Sequence, residues 1–307
     1  MSRTATSWRA LGTYVYLCGD ADTLVDATRI AADVLETVDK TYSRFRSDSE
    51  LMTLHRRSGE DVPVSPLLHA AVRVALEAAE ESEGLLDPTM GSQLVAAGYD
   101  RTFTRVPTTS SAAVDLPVRT SSWRAVVLGE GTLRLPARTL LDLGATGKAF
   151  AADLIAASLE AELGRAFLVS VGGDLRITAA RAAAPYAVAV ADTEAGLSGD
   201  QVYRISLTQG ALATSSIAAR QWHRDGRRWH HIIDPRTGEP AAGPWRTVTA
   251  YGHTAVGANT ASTTALILGK AALGWLVQRS VAARLVSHDG VVTTTPLWDK
   301  AFGQVAA

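Results

Sequence analysis

The chain has almost no cysteine. Cys18 is the only one in 307 residues, which excludes an intrachain disulfide framework and any thiolate metal cluster. Its expected role is that of a small buried hydrophobe. A surplus of either charge is also missing. With 30 Lys and Arg against 31 Asp and Glu, no bulk attraction to nucleic acid is expected, leaving only local patches to provide one. No uninterrupted run of 18 apolar residues occurs, so stable membrane insertion is not expected. The opening MSRTATSWRALGTYVYLCGD has no long apolar core followed by a cleavage site, which makes the cytoplasm the expected compartment.

What is present is a chain with 47% apolar and 20% charged residues, long enough to bury a sizeable core as one domain over residues 1–307 or as two closely fused subdomains. Apolar spacing predicts a first strand over residues 8–17, with Gly12 and Thr13 at or near a bend. Helices are predicted over 22–45 and 67–81, separated by a polar, turn-rich stretch at 42–51. Residues 99–122 read as an irregular excursion. Short strands come next at 123–128 and 132–135, and residues 140–143 read as extended. A helix is expected over 148–163, and strands over 167–171, 186–190, 202–207, 211–215, 229–233 and 247–251. A helix over 259–268, a short one near Leu273, and strands over 283–287 and 291–294 complete the pattern. Strands dominate without a regular strand–helix rhythm, which favours α+β over a barrel or a doubly wound sheet.

Five segments could carry chemistry. GATGK, Gly144 to Lys148, combines small residues with a following helix, a setting for phosphate against free amides or simply a tight strand-to-helix turn. It is no Walker motif, because Ala149 comes directly after the lysine. SVGGDLRI places Gly172, Gly173 and Asp174 at a strand end, where a ligand could approach the backbone or a capped turn could form. In LATSS, Thr214 and Ser215 could face a ligand or satisfy only their own backbone. In HHIIDPRTGEP, a strand through Ile233 would send His230 and His231 to opposite faces. That argues against a metal pair and leaves one histidine structural or catalytic. In GANTASTTALILG, Asn259 and Thr263 lie four apart on a helix and could offer oxygens to a hard cation. An N-capping Asn259 and a back-bonding Thr263 are the structural alternatives.

Taken in order with Leu11-Gly12-Thr13, YSRFRSDSEL, DPTMG at Asp87 to Gly91 and DLGATGKAFAADL at Asp142 to Leu154, these segments resemble the ApbE-type FAD:protein FMN transferase family. The resemblance spans nearly the whole chain. It implies an α+β, ApbE-like fold with a T-fold-like core of mixed strands and packed helices. It also implies Mg2+-dependent transfer of FMN from FAD to a threonine or serine of an acceptor protein, with release of AMP. By the same resemblance, the Gly147 carbonyl, Asn259 and Thr263 surround the metal. Gly144, Thr146, Gly172, Gly173, Asp174, Thr214, His231 and His55 face FAD, and His231 and Lys148 serve catalysis while Asp142 supports the metal-site loop. Two positions depart from the family pattern. Asn259 stands where an aspartate is usual, and His55 where an asparagine is frequent. A neutral ligand at 259 lowers the expected Mg2+ affinity. It also keeps two alternatives open: an FAD-binding protein without transferase activity, and an FAD pyrophosphate hydrolase giving FMN and AMP.

Overall fold

A computed structural model describes residues 3–117, 123–178, 180, 184–191 and 203–303. Val202, the predicted start of one strand, and the end of the predicted excursion at 118–122 lie outside the described residues.

In chain order, the first half forms β1 (Arg3–Ala10), β2 (Thr13–Asp20), α1 (Leu24–Tyr42), α2 (Glu50–Arg56), β3 (Val62–Pro63), α3 (Pro66–Glu81), α4 (Gly91–Ala96), β4 (Thr109–Ser110), β5 (Val127–Leu128), β6 (Thr132–Arg134) and α5 (Gly147–Leu163). The second half forms β7 (Leu168–Val171), β8 (Asp174–Ile177), β9 (Tyr186–Val190), β10 (Tyr203–Leu207), β11 (Ala211–Ser216), β12 (Gln221–Arg224), β13 (Arg227–His230), β14 (Trp245–Gly252), α6 (Ala255–Leu268), α7 (Ala272–Gln278), β15 (Ala283–Ser287), β16 (Val292–Thr294) and α8 (Pro296–Phe302). Among the described residues helices mix with sheets that are antiparallel apart from the parallel β12–β4 pair, with no closed barrel, so the chain is α+β.

The chain divides into two compact units. The first comprises residues 1–35, 148–219 and 242–307. It contains an eight-stranded sheet in the order β1-β2-β7-β8-β11-β14-β15-β16, antiparallel at every pairing. Strand β2 shows why the sheet has an inside: Val15 and Leu17 are buried while Tyr14 and Tyr16 point out, the period of two that a half-buried strand needs. One face is packed by the β9–β10 hairpin, with Leu175, Ile177 and Leu212 meeting Val188, Ile205 and Leu207. Helix α6 packs on β11 and β14 and is buried on nearly all sides, which its run of Ala, Ser and Thr permits. With α7 it forms the one helical stretch, Ala255–Gln278, long and apolar enough to span a membrane among the described residues. Of that window, 61% is buried inside the protein, the setting of a core helix.

The second unit comprises residues 36–147 and 220–241. It carries two three-stranded sheets, β3-β6-β5 and β13-β12-β4, and helices α2 to α4. Helix α3 starts where Ser65 accepts the Leu68 amide and Pro66 takes the first helical position, a placement that needs no amide proton. A core of Met90, Leu94, Tyr99, Trp222, Trp229 and Ile233 holds this unit.

The structure corrects several sequence expectations. The predicted strand over 8–17 is two strands, because Leu11 and Gly12 both adopt left-handed φ, 49° and 69°, and fold the chain into a hairpin. The predicted strand over 229–233 ends at His230, whose partner Gln221 is the first residue of β12. Beyond it only Ile233 and Pro240 form a bridge. Residues 140–143 join no sheet, and the helix expected from 259 begins at Ala255, capped by Thr254.

Candidate functional site

The GATGK segment is built by its neighbours in the second unit. Arg44 donates from Nε to Asp142 Oδ2 at 2.5 Å in a pair that is mostly buried, and from Nη1 to the Tyr99 carbonyl. The other Asp142 oxygen accepts the Gly144 amide at 2.8 Å. A Cβ at Gly144 would stand 2.7 Å from that same oxygen, so the loop needs glycine there. Thr146 is buried, and the Thr146 and Gly147 amides both reach back to the Leu143 carbonyl. The buried Tyr42 hydroxyl donates to the Gly147 carbonyl at 2.9 Å. Burial pushes the Tyr42 phenol far above its ordinary range, so it remains a donor. The Tyr42 bond uses one of the two lone pairs of the Gly147 oxygen and leaves the other open to a cation.

His55 holds the same loop. Its Nε2 accepts the Leu141 amide at 2.9 Å, and the ring is only 7% exposed. Burial, reinforced by the Arg44 guanidinium, pulls its pKa down to about 4, which keeps Nε2 unprotonated and able to accept. Nδ1 is buried without a partner among the described residues. This geometry makes His55 an anchor of the segment before GATGK. Sequence reasoning gave no role to Tyr42, although it opens the YSRFRSDSEL segment.

HHIIDPRTGEP is a strand end leading into a tight loop. His230 is buried, its Nε2 donates to the Ala241 carbonyl at 3.1 Å, and burial lowers its pKa to about 4. His231 is half-buried at the bend beyond the strand. Asp234 organises the loop. Its carboxylate takes paired bonds from Arg236 at 2.9 and 2.7 Å, while its carbonyl accepts the Thr237 and Gly238 amides. Burial works to raise the Asp234 pKa, yet Arg236 overrides it and the carboxyl lies below its ordinary range.

In the first unit the other predicted residues converge. Gly172 and Gly173 take φ of 63° and 97° in the two-residue turn joining β7 to β8, where both central residues must be left-handed. A Cβ at Gly172 would stand 2.5 Å from Thr13 Oγ1. The Gly173 carbonyl accepts the Thr214 amide. Asp174, the next residue, is 2% exposed. Its Oδ2 lies 3.4 Å from Lys148 Nζ, and its Oδ1 accepts Asn259 Nδ2 at 2.8 Å. A carboxylate oxygen only accepts, which assigns the amide: nitrogen toward Asp174, oxygen toward Thr263, whose hydroxyl is 3.3 Å away. Thr263 Oγ1 also lies 2.7 Å from Ser215 Oγ, which is 2.8 Å from Ser262 Oγ.

Neither structural alternative for these residues holds. The cap of α6 is Thr254, and Thr263 bonds side chains. Nor do Thr214 and Ser215 satisfy only their own backbone, since Thr214 meets Thr249 at 2.9 Å and Ser215 reaches α6. The helix is set in place by Asp153, whose carboxylate accepts the Ala255 and Val256 amides at 2.8 and 3.1 Å. Burial nevertheless keeps that carboxyl above its ordinary range.

Among the described residues no group of three or more His, Cys, Asp or Glu side chains is placed to hold a metal ion. The Asn259 and Thr263 oxygens face each other, and both are the hard donors that Mg2+ takes; this pair fits such an ion.

The ApbE family model matches residues 11–285. The FAD:protein FMN transferase of Treponema pallidum is 31% identical over 256 residues, covering 77% of this chain and 69% of that protein. That of Salmonella typhimurium is 29% identical over 266 residues, covering 83% and 75%. The crystal structure of the ApbE protein from Thermotoga maritima matches with a TM-score of 0.83 at 23% identity, over 99% of this chain and 100% of that one. The apo flavinyl transferase ApbE of Pseudomonas stutzeri matches with a TM-score of 0.81 at 22% identity, over 99% and 98%. These two likenesses speak to the fold, and the family match spans most of the sequence: the chain belongs to the ApbE family.

Proposed function

We propose that this chain transfers the FMN moiety of FAD to a threonine or serine hydroxyl of an acceptor protein, releasing AMP. The observation that carries the reading is the family match over residues 11–285, with relatives named for this reaction. In the step, the acceptor oxygen forms a bond to the FMN-side phosphorus and the bond from that phosphorus to the bridging oxygen breaks. AMP leaves with that oxygen and its electron pair. The hydroxyl proton passes to His231, which is half-buried beyond the end of β13.

The chain's own residues divide the remaining work. The left-handed turn at Gly172 and Gly173 offers backbone to FAD without a side chain in the way. Lys148 is kept near buried Asp174 and supplies positive charge toward the pyrophosphate. Asn259 and Thr263 would hold Mg2+, which when bound neutralises phosphate oxygens and favours departure of AMP.

The test is release of AMP from FAD and Mg2+, monitored by chromatography, with and without an acceptor protein. The proposal expects AMP only when acceptor is present, in a one-to-one ratio with acceptor consumed. AMP and free FMN in equal amounts without acceptor would make the chain a pyrophosphate hydrolase instead.

A further inference from the structure

The Asn259–Asp174 contact does more than hold two side chains together. Asp174 is a buried acceptor, and the group on Asn259 that donates to it is the amide nitrogen. That bond leaves Asn259 Oδ1 turned toward Thr263. The oxygens that would receive a cation are thus oriented before any cation arrives. The negative charge nearest to Asn259 sits one hydrogen bond behind it, on a carboxylate already paired with Lys148.

We propose that Asn259 and Asp174 act as an amide–carboxylate lock: Asp174 is the positioning residue that orients the Asn259 oxygen, and the division of amide and carboxylate between the two positions sets how strongly this unit holds Mg2+. The inference rests on reading Asn259 and Thr263 as the cation-holding pair. A carboxylate at 259 would face Asp174 across a 2.8 Å contact with no amide hydrogen between them, and two like charges in a buried setting repel unless a cation lies against them or one takes up a proton. Aspartate at 259 alone therefore makes the stability of this unit respond to the ion more strongly than asparagine does.

Exchanging the two groups tests the lock. Asn259→Asp, Asp174→Asn and the double variant carrying both are melted without flavin or acceptor, in EDTA and in Mg2+, and Mg2+ binding is measured by calorimetry. Each single variant is expected to melt roughly 5–10 °C lower in EDTA, since breaking a buried charged contact in a chain of this size has that effect. The double variant restores one amide donating to one carboxylate and is expected to recover most of that loss. It also puts the charge next to Thr263, and its Mg2+ affinity is expected to rise about tenfold, the effect of roughly 1.4 kcal/mol of added attraction. Mg2+ should raise the melting temperature of Asn259→Asp more than that of the unaltered chain. A double variant as unstable as the two singles combined would overturn the lock. So would an Asn259→Asp variant that melts in EDTA like the unaltered chain. Recovery in EDTA with unchanged Mg2+ affinity would overturn the second half, the setting of cation strength. None of these readings depends on transfer, so failure of the reaction would leave them standing.

Discussion

At the scale of single residues, the two histidines buried in the second unit predict how stability responds to acid. His55 and His230 each titrate near 4 in the folded chain, against an ordinary value near 6.5, because burial disfavours the charged ring. As pH falls below 6.5 the unfolded chain takes up protons that the folded chain refuses. Stability is fully present above about pH 6.5, is lost as pH falls toward 4, and changes no further through these groups below that. Each histidine should cost about 2 kcal/mol at pH 5 relative to pH 7 by linkage. His55→Gln keeps an oxygen able to accept the Leu141 amide and removes the titration. Urea unfolding at pH 7 and pH 5 should show the variant losing about 2 kcal/mol less than the unaltered chain. An identical loss would show that His55 is not held neutral. The sequence left one histidine of the 230–231 pair structural or catalytic, and the structure gives His230 a structural role: adjacent histidines carry no sign of which one the strand will bury. Gly172 and Gly173 were legible as a place of close backbone approach, but the same pair is also the turn between two strands, and the second strand went unread.

At the scale of elements, α6 does most to bring the first unit's candidate residues together. Its start is fixed from outside by Asp153 on α5 and from within by Thr254. Its polar residues meet β8 through Asn259 and β11 through Ser262 and Thr263. The hydroxyl of Thr263 has two acceptors in reach, Asn259 Oδ1 and Ser215 Oγ. Only when it donates to Ser215 does Thr263 turn a lone pair away from its own hydrogen and toward a cation beside Asn259. Ser215→Ala removes that choice. Mg2+ affinity is then expected to fall about tenfold, in line with loss of one buried hydrogen bond, while Ser215→Thr keeps the hydroxyl and stays near the unaltered value. Calorimetric titration with Mg2+ checks this, and an alanine variant that binds as tightly as the unaltered chain would contradict it. The spacing of Asn259 and Thr263 was readable from helical geometry alone. Ser215 stood out in LATSS, but its partners did not, because its contacts cross from strand to helix over 47 and 48 residues of sequence, and no local pattern encodes a tertiary partner. The early boundary of α6 was missed because Gly257 weakened the helical pattern that Thr254 in fact begins.

At the scale of the whole molecule, the α+β class came from strands that outnumber helices without a regular alternation. The ordered set of motifs came from their succession along nearly the entire chain. What periodicity could not supply was the division of the chain between two units. Residues 220–241 belong with residues 36–147 although residues 148–219 intervene, an arrangement set by long-range packing such as Trp222 and Trp229 against Met90 and Leu94. Fold alone does not fix chemistry, so the proposed reaction rests on the family and must be seen directly. The most direct measurement is the intact mass of an acceptor protein after incubation with this chain, FAD and Mg2+, with peptide fragmentation to find the modified residue. The expected result is a gain equal to FMN less one water on a single threonine or serine, absent when that residue is replaced by alanine. An acceptor of unchanged mass, under conditions where an active relative modifies it, would contradict the proposal.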